Sequence, residues 1–344
     1  MPKRFVPAAR PATVRAARRA GHGYGETAEP DWRTVDWTKH LHQIELGGTP
    51  VNYVDLDSAG LGSADVDSAE LRPADLEPVV FVHGLGGQWQ NWLENLPRAA
   101  LERRVIALDL PGFGSTPMPR DDITIPGYGR CVNQLCEKLD LGRVDMVGNS
   151  MGGYIAAEVA IQFPERIDQL LLVSAAGITT ADVARRPVYT AGRIATAMTA
   201  HSSAQYRAIA SRPKSRHMAL ALVARHPSLL RADLAYEGFI KGAGGPGFES
   251  ALRACLEYDF RDRLPEIRRP TLIVWGEKDS IIPVRDAQEF ERLIPDSRKV
   301  VMKDTGHIPM AERPGAFNNV MMEFLSERGP ASATDTPPGE SEAA

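Results

Sequence analysis

From residue 79 onward, short apolar runs punctuate the chain: Val79–Val82, Arg104–Leu110, Val144–Val147, Leu170–Val173, Thr271–Trp275 and Lys299–Met302. Each is four to seven residues long and lacks polar alternation, as strands buried on both faces of a parallel sheet do. Between the runs, apolar residues return every three or four positions. Ile155, Ala156, Val159, Ala160 and Phe163 do so in 152–163, and Phe317, Val320, Met321 and Phe324 in 314–327, behind Pro314. These spacings predict helices. Strand–helix alternation predicts an α/β protein, a doubly wound, mostly parallel sheet with right-handed crossovers and helices on both faces. Upstream, His42–Leu46 and Val51–Asp55 alternate like an antiparallel edge. The alternation fails once. About ninety residues between Ala176 and Pro270, among them Tyr189, Met198, Tyr206, Met218, Phe239 and Phe248, carry helical patterning without a strand run. That is too long for a loop inside a sheet domain and predicts an inserted helical cap.

The expected organisation is a flexible basic arm (1–30), a first core segment (31–176), the cap (177–265), a second core segment (266–328) and a disordered acidic tail (329–344). Residues 1–25 hold six lysines and arginines and no acid. Arg18-Arg19 is not followed by the apolar segment an export signal needs. The arm reads as a mobile tail, with weak contact to an anionic membrane surface or a partner as the alternative. Residues 56–77, acidic and rich in small side chains, read as a long surface loop or hairpin tip, cheap because closure entropy grows only logarithmically with length.

Composition narrows the class. The 344 residues are 43% hydrophobic and 24% charged, with net charge −4, which fits a globular protein and argues against nucleic-acid binding. No apolar run approaches the roughly 18 residues of a membrane span. Cys131, Cys136 and Cys255 are an odd set without metal-ligand spacing, so a reduced, cytoplasmic protein is expected, with no metal and no cofactor.

The sharpest chemical signal is Gly148-Asn149-Ser150-Met151-Gly152, between a predicted strand and a predicted helix. A strand-to-helix bend of this kind lifts a serine hydroxyl clear of the sheet, and its glycines remove side chains that would collide. The helix N-terminus favours negative charge nearby, and the Met151 amide is the natural first donor to an oxyanion. His83-Gly84-Leu85-Gly86-Gly87 follows another strand and offers the Leu85 amide as a second donor. Neither a dinucleotide fingerprint nor a phosphate loop fits that run. Further on, Gly276-Glu277-Lys278-Asp279 and Asp304-Thr305-Gly306-His307 each follow a strand, so a carboxylate and a histidine converge on one edge of the sheet. A serine needs a base to take its proton, and imidazole suits that task at neutral pH. A carboxylate on the far ring nitrogen fixes its tautomer. His307 is the expected base and Asp279 the expected acid, with Glu277 and Asp304 as competitors. Asp304 stands in the same short turn as His307, which suits capping better than reaching the ring. His83 reads as a brace for the oxyanion loop.

Taken in order, H-G-L-G-G (83–87), D-L-P-G-F-G (109–114), G-N-S-M-G-G (148–153), G-E-K-D (276–279) and G-H (306–307) resemble the α/β-hydrolase fold family, serine-nucleophile branch with a helical cap, over about residues 40–327. The resemblance implies Ser150 as nucleophile, Asp279 as acid, His307 as base and the Leu85 and Met151 amides as oxyanion hole. Serine at 150 argues against the branches with an aspartate nucleophile, because a serine ether formed from an epoxide would not hydrolyse. Two serine branches compete. Esterases and lipase-like members take carboxylic esters; carbon–carbon bond hydrolases of ring-cleavage diketones often carry G-N-S-M-G-G. The latter typically place Trp after the base and Pro in the oxyanion loop. Ile308 and H-G-L-G-G depart from that pattern, so a small-molecule carboxylic ester is the expected substrate, and the aromatic and Met candidates for the pocket point to apolar, medium-chain or aromatic ones. A ligand receptor or scaffold on the same fold is the non-enzymatic alternative. Trp89, Trp92 and Met310 are candidate pocket residues, with core packing the competing role for the tryptophans.

Overall fold

The computed structural model describes residues 23–61, 76–182 and 203–327. The basic arm up to residue 22, residues 62–75 of the acidic stretch, residues 183–202 of the cap with Tyr189 and Met198, and the acidic tail lie outside the described residues. Among the described residues, eight strands form one sheet: β1 (Leu41–Leu46), β2 (Thr49–Leu56), β3 (Val79–Val82), β4 (Val105–Leu108), β5 (Val144–Asn149), β6 (Ile167–Val173), β7 (Thr271–Gly276) and β8 (Ser297–Met302). Their order is β1-β2-β4-β3-β5-β6-β7-β8. β1 and β2 are antiparallel to their neighbours and the rest are parallel. Gly47 and Gly48, at φ 54° and 80°, form the two-residue turn between β1 and β2, the backbone a tight hairpin needs.

The helices that matter for the site are α1 (Leu96–Ala100), α2 (Ile125–Lys138), α3 (Met151–Gln162), α4 (Ser203–Ser211), α5 (Pro213–Leu220), α6 (Phe248–Glu257), α7 (Arg285–Leu293), α8 (Pro309–Glu312) and α9 (Pro314–Ser326). Among the described residues, the interval between β6 and β7 holds helices and no strand. The sheet is buried on both faces because side chains alternate along each strand. Val80 and Val82 of β3, with Ile106 and Leu108 of β4, join the core under α2 and α3, while Val79, Phe81, Val105 and Ala107 join the opposite core under α1 and α9. From Met151 to Ile161 every residue of α3 is buried, which explains why the helix is apolar on every side apart from Glu158, whose carboxylate takes the Tyr258 hydroxyl and pairs with Arg263.

Two expectations change. β8 is only half-buried, since it pairs on one side with β7 and ends the sheet; its Arg298 and Lys299 mark an edge rather than an interior strand. Residues 24–30 belong to the folded body rather than to a flexible arm. Tyr24 is buried, Gly25 N–H donates to the Glu312 carbonyl at 2.7 Å, and Ala28 N–H donates to Glu94 at 2.8 Å.

β3 leads to β4 on one side and, after α2, the chain crosses back to β5 on the other. Clefts form at such a reversal, beyond the carboxyl ends of the strands. One buried ion pair ties this region to the last helix: Arg103, just before β4, donates to Asp145 of β5 and to the carbonyl of Leu325 in α9. Removing one member of a buried pair leaves its partner charged and desolvated. Asp145→Asn should therefore lower the unfolding free energy by about 3 kcal/mol in denaturant titration, with little change expected for the exposed pair partner Asp36→Asn.

Candidate active site

β5 ends at Asn149 and α3 begins at Met151, so Ser150 alone makes the bend. Its backbone sits at φ 56°, ψ −117°, a region that side-chain-bearing residues occupy only when their surroundings enforce it. Here Ser150 N–H donates to Val173 O at 2.9 Å, while Ser150 O accepts from Ala176 N at 3.0 Å and Tyr154 N at 3.1 Å. The glycines are required by contact. A Cβ on Gly148 would lie 2.2 Å from Gly152 O, and one on Gly152 would lie 2.1 Å from Val82 O. Ser150 remains partly exposed, and the amide of Met151 opens α3, where helical amides have no intrahelical acceptor.

The carboxylate and the histidine meet. His307 Nδ1 lies 2.7 Å from Asp279 Oδ2, and both residues are buried. The other oxygen of Asp279 accepts from Ile281 N at 2.8 Å and Ile282 N at 2.9 Å, so the carboxylate cannot swing away from the ring. The two competitors are engaged elsewhere. Asp304 accepts from His226 Nε2 at 2.7 Å and Arg225 Nε at 3.0 Å; burial raises its carboxyl, but these hydrogen bonds outweigh it and hold the group below the usual carboxylate range. Glu277 accepts from Asp304 N at 3.1 Å and pairs with Lys278. The His307 loop is tied to the bend: Asn149 Nδ2 donates to Val173 O at 3.1 Å and to His307 O at 3.3 Å.

The loop after β3 lies against the same bend, since a Cβ on Gly84 would lie 3.2 Å from Ser150 Cβ. His83 is buried behind it. Leu110 N–H donates to His83 Nε2 at 3.0 Å, which leaves Nδ1 as the protonated nitrogen, 2.8 Å from Gly84 O. Burial lowers its pKa, so the ring is a neutral brace. Leu85 is half-buried. Trp89 and Trp92 lie on a 3-10 turn in the core beside α1; Trp92 packs on Phe81 and Trp89 on Trp37. Met310 is buried in α8, its carbonyl accepting from Asn95. Gln88, which caps this turn, and Asn91 within it donate to the carbonyls of Glu237 and Gly238, at 2.7 Å and 2.5 Å. Those carbonyls belong to a π-helical turn (Ala235–Ile240) of the cap region. Burial pushes the thiols of Cys131, Cys136 and Cys255 up to about 12, so none is poised as a thiolate. Among the described residues, no group of three or more His, Cys, Asp or Glu side chains is arranged around a metal position, and no helix is long and apolar enough to cross a membrane.

Sequence reasoning missed Glu312. This carboxylate, fully buried at the end of α8, accepts from Tyr24 OH, Arg225 N, Gly306 N and Ile308 N. It joins the N-terminal segment, the cap region and both sides of His307. Its only sequence signal is an acid five residues after the histidine, which does not distinguish it from a solvent-facing helix residue.

Residues 77–314 match the family model described as alpha/beta hydrolase fold. The chain is 32% identical over 257 residues to the dihydrolipoyllysine-residue acetyltransferase component of an acetoin cleaving system from Pseudomonas putida, covering 72% of this chain and 63% of that relative's length. It is 30% identical over 267 residues to a 2-hydroxy-6-oxo-2,4-heptadienoate hydrolase of Pseudomonas putida, covering 72% and 89% of the two chains. A thermophilic esterase from Thermogutta terrifontis superposes with TM-score 0.64 at 23% identity, over 83% of this chain and 97% of that one.

Glu312 yields a pH-dependent expectation. Burial raises its carboxyl despite the hydrogen bonds that oppose it. A raised folded-state pKa stabilises most below the unfolded value, and the contribution fades as pH rises through the folded value. Glu312→Gln keeps an acceptor but turns an amide donor toward the other N–H groups, at a cost of about 1–3 kcal/mol. In denaturant titrations at a series of pH values, the stability advantage of the native protein over Glu312→Gln should be largest at acid pH and shrink as pH rises.

Proposed function

This chain belongs to the α/β-hydrolase fold family, and from that premise we propose that it is a serine hydrolase cleaving apolar, medium-chain or aromatic carboxylic esters through an acyl-enzyme. Ser150 is the nucleophile, His307 the base and Asp279 the acid that orients it. The amides of Leu85 and Met151 form the oxyanion hole. The observation that carries this reading is the buried Asp279–His307 hydrogen bond on a loop whose His307 carbonyl is held by Asn149, the residue next to Ser150.

With Nδ1 committed to Asp279, the remaining ring nitrogen of His307 takes the Ser150 proton as Oγ attacks the acyl carbon. The carbonyl oxygen becomes an oxyanion, which two amides and the start of α3 stabilise without reorganising. The imidazolium then returns the proton to the departing alkoxide, and the alcohol leaves. Water, deprotonated by the same nitrogen, attacks the acyl-enzyme; Ser150 regains its proton and the acid departs. Asp279 fixes the tautomer of His307 and stabilises the imidazolium.

A second reading rests on the Pseudomonas putida relative named for a ring-cleavage dienoate. There the bond broken would be carbon–carbon beside a ketone, with a carbon leaving group to protonate. Ile308 after the histidine favours the ester.

Ser150→Ala should lower p-nitrophenyl ester turnover by about 10⁴-fold or more with folding preserved by circular dichroism; turnover near the native rate would exclude Ser150 as nucleophile. Asp279→Asn should cost about 10³–10⁴ in kcat and Asp304→Asn less than about tenfold, and the reverse ranking would reassign the acid. A panel of p-nitrophenyl esters run beside a ring-fission diketone separates the two readings: faster kcat/KM on the diketone would replace the ester assignment.

A further inference from the structure

The cap carries an uneven charge. Between residues 183 and 232 the sequence has nine lysines and arginines and no aspartate or glutamate, in a chain of net charge −4. Some of these cations are spent inside the fold: Arg225 pairs with Asp304, Arg231 with Asp233, and buried Arg216 donates to the carbonyls of Ala210, Pro227 and Ser228. Arg207 is exposed on α4 with its guanidinium over the Tyr236 ring, and Arg212 and Lys214 lie exposed at the cap and first turn of α5.

Among these cations stand two apolar side chains facing water. Met218 is 78% exposed and Leu222 is 64% exposed, while the other exposed large hydrophobics among the described residues reach 42% at most. Lys214, Met218 and Leu222 are spaced by four, on α5 and the helical turn that continues it, so they share one face. Buried Leu220 and Arg216 point the opposite side of α5 into the protein. Protruding apolar tips beside exposed basic residues suit the boundary of a lipid layer, where the tips enter the acyl region and the cations meet phosphates. A nucleic acid or an acidic peptide would satisfy the cations and leave the apolar tips in water.

We propose that this face, built from Arg212, Lys214, Met218 and Leu222, docks on an anionic lipid surface. The patch is continuous with the histidine side of the site. Next to Leu222, the Val223 carbonyl accepts the His307 amide at 2.9 Å, and two residues further Arg225 N donates to Glu312. Docking therefore brings the edge of the cleft that holds His307 to the interface, where esters of low water solubility reside.

The test is co-sedimentation of the full chain with sucrose-loaded vesicles of phosphatidylcholine, alone or with about 30% phosphatidylglycerol, across a salt series. The native protein should bind the anionic vesicles, with binding that weakens as salt rises. Arg212→Glu with Lys214→Glu should weaken it by roughly tenfold or more, and Met218→Ser with Leu222→Ser by several-fold, each with soluble-ester turnover and the circular dichroism spectrum unchanged. No binding by the native chain would overturn the proposal. So would equal binding by both double variants, which would place the contact outside this face. Heparin binding sensitive to the charge pair, together with vesicle binding indifferent to the apolar pair, would point to a polyanion and also overturn it. Vesicle binding needs no turnover, so its failure is separable from failure of the hydrolase assignment.

Discussion

A serine held at φ 56° sets the terms for the whole upper edge of this sheet. That backbone is unfavourable by itself, and it persists because β5, α3 and the strand on either side leave no alternative. Close approach is the means. Gly148 and Gly152 meet each other's backbone, and Gly152 meets the carbonyl of Val82 at distances where no Cβ fits. Gly153 is pressed against Ala175 in the same way. The bend thus draws the ends of β3, β5 and β6 together, and it lies where the strand order reverses, the place at which an open α/β sheet leaves room for a ligand.

Around this fixed point the chain arranges side chains that are remote in sequence. Asn149 holds the His307 carbonyl, Asp279 holds the ring, and Glu312 holds the amides on either side. Glu312 also takes the Tyr24 hydroxyl and the Arg225 amide. One carboxylate therefore ties Tyr24 of the N-terminal segment and Arg225 to the histidine loop. On the opposite side, Gln88 and Asn91 connect the loop after β3 to the π-helical turn of the cap region, and His83 pins that loop to Leu110. Residues 223–238 thus contact both the loop after β3 and the histidine loop after β8.

Much of this was legible in the residues. Buried parallel strands are apolar without alternation, so Val79–Val82 and Thr271–Trp275 are legible as strands, and the glycines around Ser150 at a strand-to-helix junction mark the tight bend. Asp279 stood out because it follows a strand whose carboxyl end must face the same edge as Ser150. β8 was placed but its environment was misread, because a strand's neighbours on the sheet are not written in its own composition. Glu312, the Asp304–His226 pair and the buried Arg103–Asp145 pair were invisible for a related reason. Each joins residues far apart in sequence, and a buried carboxylate looks like an exposed one until the fold encloses it. Residues 24–30 looked like a tail because Tyr24 and Ala28 have partners only in the folded chain.

On the function proposed above, the oxygen on this bend is the activated nucleophile. The most direct measurement is labelling with a fluorophosphonate, followed by peptide mass spectrometry of the modified protein. One phosphonylated residue, Ser150, is expected, with labelling abolished by heat unfolding and strongly slowed in Asp279→Asn. Modification at another residue, or none while ester turnover is intact, would contradict it.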